Sequence, residues 1–215
     1  MVPRVSWLRL QPPFDQPVFA LALQRAFAAR SPPLLSLPEA LSPQTRRALR
    51  RLAAPALEKF DFPDRGRYRI AKLTGGSEMP PPGSASARLR AATAPFLDEL
   101  RDFAEVVSGA RLRDGPAQIV SMGRGDYSLR LDDARARPGP AFVEVALDLS
   151  TGPHPFAATV YSQGPFSHLA VAQLPGQLTL ARRSPESSRC DRYRSAIVGP
   201  RAFVLLRAAF PLAES

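Results

Sequence analysis

From Gln118 to Phe210 the chain is a succession of short runs, "QIVSM", "YSLRL", "AFVEVALDL", "AATVYS", "GQLTLAR", "RYRSAIV" and "RAFVLLRAAF", separated by Gly, Pro, Asp and Ser. Runs this short and this rich in β-branched and aromatic residues have the composition of strands. In the third, Val143, Val145, Leu147 and Leu149 alternate with Phe142, Glu144, Ala146 and Asp148. That is the period of a strand with one face in a core. Many short strands bury their apolar faces by stacking as a sandwich or jelly roll, and this constrains the fold more than any other feature.

The residues before the strands read as helices able to back one sheet. After Asp15 as N-cap, "QPVFALALQRAFAAR" carries Val18, Phe19, Leu21, Leu23 and Phe27. A second helix has Ser42 to cap it, Pro43 at its first position, and Leu49, Leu52, Ala53, Ala56, Leu57 and Phe60 at steps of three and four. Its other face holds Arg46, Arg47, Arg50 and Arg51, read as a solvated face. "GGSEMPPPGSAS" is a turn-rich loop. A third helix follows with the stripe Phe96, Leu100, Phe103, Ala104 and Val107, Pro95 starting or kinking it and Gly109 closing it.

Composition narrows the class. The 215 residues, 45% of them hydrophobic, are enough to bury a real core. The region from Met1 to Phe14, with Arg4, Trp7 and Arg9, does not read as a secretory leader, and no apolar stretch of about 18 residues suggests a membrane span. The expectation is a soluble, cytoplasmic protein with no membrane partner. Cys190 is the only cysteine and is read as a plain loop residue. A net charge of +10 and a pI near 11.0 favour polyanions in principle. Lys59 and Lys72 are the only lysines among 29 basic residues, however, and there are 24 prolines. This is the imprint of GC-rich coding, so the charge is read as composition.

"GRGDYSLRLDD", "PGQLTLARR" and "RYRSAIVGPRAFVLLRAAF", in this order behind a helical layer, resemble the 2-oxoglutarate and Fe(II) dependent dioxygenases, in particular their prolyl-hydroxylase-like branch. The resemblance implies an α+β fold, a double-stranded β-helix or jelly-roll sandwich backed by N-terminal helices. It divides the chain into a helical segment, 1–66, packing on the core, and a dioxygenase-like domain, 67–215. In that family a "GDY" followed by a strand ends in the His-x-Asp pair that gives two of three iron ligands. The closing strands carry the distal histidine and the arginine for the co-substrate.

Ferrous iron in such a site needs two imidazoles and one carboxylate, leaving positions open for 2-oxoglutarate and oxygen. On this sequence the pair falls on Leu131 and Asp133, and the distal histidine at or beside Arg194. Asp133 matches. Leucine has no lone pair, and arginine is a permanent cation without an acceptor. Arg201 is the counterpart of the co-substrate arginine, with Tyr127 beside the motif as a second cofactor-binding candidate.

The resemblance therefore implies a catalytically degenerate, dioxygenase-like protein, a pseudoenzyme for which neither Fe(II) nor 2-oxoglutarate is expected. It would act as a binding or partner module for a protein or small molecule. Two alternatives stay open. One is an active hydroxylase whose ligands are relocated, with His154 or His168 reaching Asp133. The other is a nucleic-acid binder using Arg46 to Arg51. Asp132 and Asp133, with Glu144 or Asp148, also offer oxygen ligands to Mg2+ or Ca2+, against the reading of a solvated turn. "RGD" at Arg124 to Asp126 is too short to carry an adhesion function, and Tyr127, Tyr161 and Tyr193 are read as packing residues.

Overall fold

A computed structural model describes residues 19–62, 66–74, 80–123, 125–128, 141–152, 158–164, 167–172, 174–191 and 202–213. The elements are α1 (Ala20–Ala28), β1 (Leu34–Leu37), α2 (Pro43–Ala53), β2 (Glu58–Phe62), β3 (Gly66–Lys72), α3 (Ala85–Ser108), β4 (Ala117–Met122), β5 (Tyr127–Ser128) and β6 (Phe142–Asp148). They continue with β7 (Ala158–Gln163), β8 (Ser167–Ala172), β9 (Leu178–Arg183), β10 (Ser187–Asp191) and β11 (Phe203–Pro211). The large sheet runs β1-β9-β6-β11-β4-β3-β2, with β5 also pairing to β3; the small sheet runs β10-β7-β8. Every pairing is antiparallel.

Alternation along the central strands sorts side chains between two layers. Val143, Val145 and Leu147 of β6, Leu178 and Leu180 of β9, and Val204, Leu206 and Phe210 of β11 join Phe27, Leu49, Phe96 and Leu100 of the helices in one apolar cluster. The opposite face looks toward the small sheet, where Leu34, Tyr161, Val171 and Ala181 meet between the layers. β6 is thus buried on both faces: Glu144 and Asp148, read from the sequence as the face away from the core, are 3% and 0% exposed.

Helices α2 and α3 begin where capping side chains satisfy their first backbone groups. Ser42 caps α2 by accepting the Thr45 N–H at 3.0 Å, with Pro43 in the first turn. Helix α3 starts at Ala85 under a Ser84 cap and carries Pro95 within its length. Gly109 ends it at φ 67°, its N–H bonded to Glu105 O at 2.9 Å. Only glycine takes that left-handed conformation without cost, so Gly109→Ala should lower stability by about 1 kcal/mol. A urea midpoint equal to that of wild type would contradict this cap.

Three expectations change. Phe60 does not extend the second helix: Pro55 lies in a short 3-10 turn over Ala54–Ala56, and Phe60 stacks on Tyr68 from β2, ring centroids 4.5 Å apart. In the first helix Leu23 and Phe27 turn inward, whereas Phe19 and Leu21 are exposed. Strands β1 and β3 fall in stretches to which no element was assigned from the sequence, β2 overlaps the end of the second helix as read there, and all three join the same sheet as the later strands. Among the described residues no helix is long and apolar enough to cross a membrane.

Candidate functional site in the barrel interior

The space between the two sheets is furnished with charge. Glu144 points into it from β6, Arg183 from β9, Arg207 from β11, and Arg189 and Asp191 from β10. Glu144 Oε2 pairs with Arg183 Nη1 at 2.9 Å. Its Oε1 pairs with Arg189 Nη1 at 3.0 Å and accepts the Tyr161 hydroxyl at 3.1 Å. Arg207 Nη2 is bonded to Asp191 Oδ1, which also accepts from Thr159 Oγ1 at 2.8 Å. Glu144, Asp191, Arg183 and Arg207 are each no more than 5% exposed.

Burial of a carboxylate raises its pKa unless opposite charge compensates. For Glu144 the opposing guanidinium charges of Arg189, Arg183 and Arg207 outweigh burial and hold the carboxyl down at about 2. At Asp191 burial is likewise overcome, chiefly by Arg207 and then Arg189, and its pKa is lowered. Burial, reinforced by the charge of Glu144, pushes the Tyr161 phenol well above its ordinary range, so it stays a donor. The interior is therefore ionised and paired at neutral pH.

The group that the sequence resemblance implies does not fit these residues. A dication beside Glu144 or Asp191 would lie among three guanidinium groups, none of which has a lone pair to offer. Among the described residues no three His, Cys, Asp or Glu side chains converge as a metal site. Glu144 is held by arginines. Asp148 accepts the Ser150 N–H at 2.7 Å at the far end of β6, and burial raises its carboxyl against the influence of Ser150, Arg46 and Arg50. Asp148 Oδ2 is buried without a hydrogen-bond partner, and the oxygen-ligand set considered from the sequence also needs Asp132 and Asp133, which lie outside the described residues. His168 lies exposed on β8, its Nδ1 2.8 Å from Ser162 Oγ, on the outer face of the small sheet and away from the interior.

Of the other candidates, Leu131, Asp132, Asp133, His154, Tyr193, Arg194 and Arg201 lie outside the described residues. Tyr127 is placed by its backbone alone, in β5 opposite Arg67. Cys190 is on strand β10 and not in a loop. The arginine face of α2 divides: Arg47 and Arg51 are exposed, whereas Arg46 is half-buried and donates to Ser150 O at 2.6 Å. Asp126, the carboxylate of the "RGD" sequence, accepts the Gly123 N–H at 2.7 Å. It borders an open groove of about 390 Å3 on the sheet, together with Lys59, Arg67 and Arg69.

Sequence reasoning passed over Arg183, Arg189, Asp191 and Arg207 as site residues. A usable signal was present in "FVLLRAAF", where Arg207 interrupts an otherwise apolar strand. A cation inside such a run needs a buried anion.

A helix-backed jelly roll with strands closing over a polar interior defines a fold class, and solved structures show which one. The chain is similar to a Pseudomonas putida prolyl-4-hydroxylase, at 19% identity and TM-score 0.63 over 91% of this chain and 100% of that one. It is also similar to a 2OG-Fe(II) oxygenase family oxidoreductase from Burkholderia pseudomallei, at 15% identity and TM-score 0.65 over 89% of each chain. A prolyl hydroxylase from Trichoplax adhaerens matches at 10% identity and TM-score 0.59, over 89% of this chain and 90% of that one. No family model and no curated protein matches the sequence. The fold is that of the 2-oxoglutarate and Fe(II) dependent oxygenases, as the sequence motifs implied.

Proposed function

We propose that this chain is a catalytically degenerate, dioxygenase-like protein that serves as a binding or partner module. One observation carries the reading: both oxygens of Glu144 are paired with Arg183 and Arg189, and Asp191 Oδ1 is paired with Arg207. Among the described residues this interior repels a dication and presents no imidazole to it. The sequence supports the same conclusion independently, since Leu131 and Arg194 stand in the register of the histidine ligands. Losing two of three ligands removes nearly all ferrous affinity, because the remaining carboxylate competes poorly with water.

Anaerobic titration of the full chain with Fe(II) and 2-oxoglutarate, followed by admission of oxygen, tests this. The expected result is no metal-to-ligand absorption band and no succinate. A band that saturates with iron, or stoichiometric succinate release, would instead establish an active hydroxylase with relocated ligands.

A further inference from the structure

The Glu144 carboxylate sits in a receptor built from Arg183, Tyr161 and Arg189 on three strands. Arg183 donates from Nε to Ser187 Oγ and from Nη2 to Ser187 O, both at 3.3 Å, and its guanidinium lies 5.4 Å from the centroid of the Phe142 ring. Tyr161 is fixed in the small sheet, opposite Leu169 of β8 and Arg189 of β10, with its ring packed among Leu34, Val171 and Ala181. Arg189 stands on β10 one residue before Cys190 and two before Asp191, whose own carboxylate is tied to Arg207 and Thr159. Three donors from three strands of both sheets thus converge on one carboxylate; Arg183 and the Tyr161 ring have further contacts of their own, and Arg189 is placed by its strand.

We propose that Glu144 is a built-in carboxylate filling a preformed carboxylate receptor, and that it closes the barrel interior to external anions. A tethered group competes at an effective concentration that a free ligand does not reach. The inference deepens the proposed function and rests on it for one point, that the wild-type interior takes up no anionic co-substrate through these arginines. Its converse concerns a site: Glu144→Ala deletes Cγ, Cδ and the two carboxylate oxygens, which are the heavy atoms of acetate. The emptied receptor is therefore a binding site for a one- or two-carbon carboxylate.

The test compares unfolding midpoints of the full chain at neutral pH in sodium acetate, sodium chloride and acetamide, at matched ionic strength for the salts. Glu144→Ala should be stabilised saturably by acetate. At ten times the dissociation constant its folding equilibrium rises about tenfold. Acetamide, the neutral isostere, should give much less, and wild type and Glu144→Gln, whose side chains still fill the space, should not respond. If Glu144→Ala gains no more from acetate than from acetamide, or if wild type gains as much, the proposal is overturned. Should Glu144→Ala fail to fold in chloride, its refolding yield in acetate against acetamide reads the same comparison. Recovery in acetate alone supports the receptor, and no recovery in either rejects it. None of these readouts involves iron, so the ferrous titration can fail while this stands, and the reverse.

Discussion

Arg207→Met should cost the protein about 3–5 kcal/mol, because it strands the Asp191 carboxylate in the interior. Arg207 and Asp191 are 5% and 3% exposed, and Thr159 is the hydrogen-bond donor left to Asp191 Oδ1 once the guanidinium is gone. Asp191→Leu should cost a comparable amount by leaving the guanidinium uncompensated. The double variant Arg207→Met/Asp191→Leu should lie well above the sum of the two, since replacing a buried ion pair by apolar groups of similar volume is often close to neutral. Urea unfolding of the four proteins at neutral pH measures the cycle. Additive losses would mean that the pair is not coupled and that the interior is wetter than its geometry indicates.

These arginines also mark the limit of what the sequence discloses. The alternation of β6, the apolar runs of β9 and β11, and the Ser42 cap are local signals, and each is realised in the fold. Phe60 was assigned to the wrong element because helical spacing continues across Pro55, whereas the chain turns there and leaves as a strand. β10 is harder to read still. "SSRCD" has no apolar alternation, and its inward residues are buried by charge pairing rather than by hydrocarbon. The partners of Glu144 and Arg183 are 39 positions apart, and those of Asp191 and Arg207 are 16 apart, so no window of sequence contains the reason for their burial.

Among the described residues, the inward carboxylates of β6 and β10 are neutralised by guanidinium groups on β9, β10 and β11. A permanently charged arginine makes the pairing indifferent to pH near neutrality. All of its pH sensitivity is delegated to the two carboxyls.

That sensitivity gives an acid limb with a definite direction. Glu144 titrates at about 2 in the folded chain, against 4.5 for an unperturbed glutamate, because the arginine charges overcome its burial. As the pH falls, the unfolded chain takes up the proton first, so acid favours unfolding. The contribution, about 3 kcal/mol, is whole above pH about 4.5 and is lost between there and about 2. Asp191, also lowered, acts in the same sense. Asp148, raised by burial, acts in the opposite sense and eases the limb as it protonates. Urea midpoints from neutral pH to about pH 2.5 should therefore fall steeply for wild type and more shallowly for Glu144→Gln, whose amide has nothing to titrate. The quantity to compare is the slope below pH about 4.5, because the substitution shifts the neutral midpoint for reasons of its own. Parallel limbs would show that Glu144 is not held ionised by its arginines, and the receptor would lose its electrostatic basis.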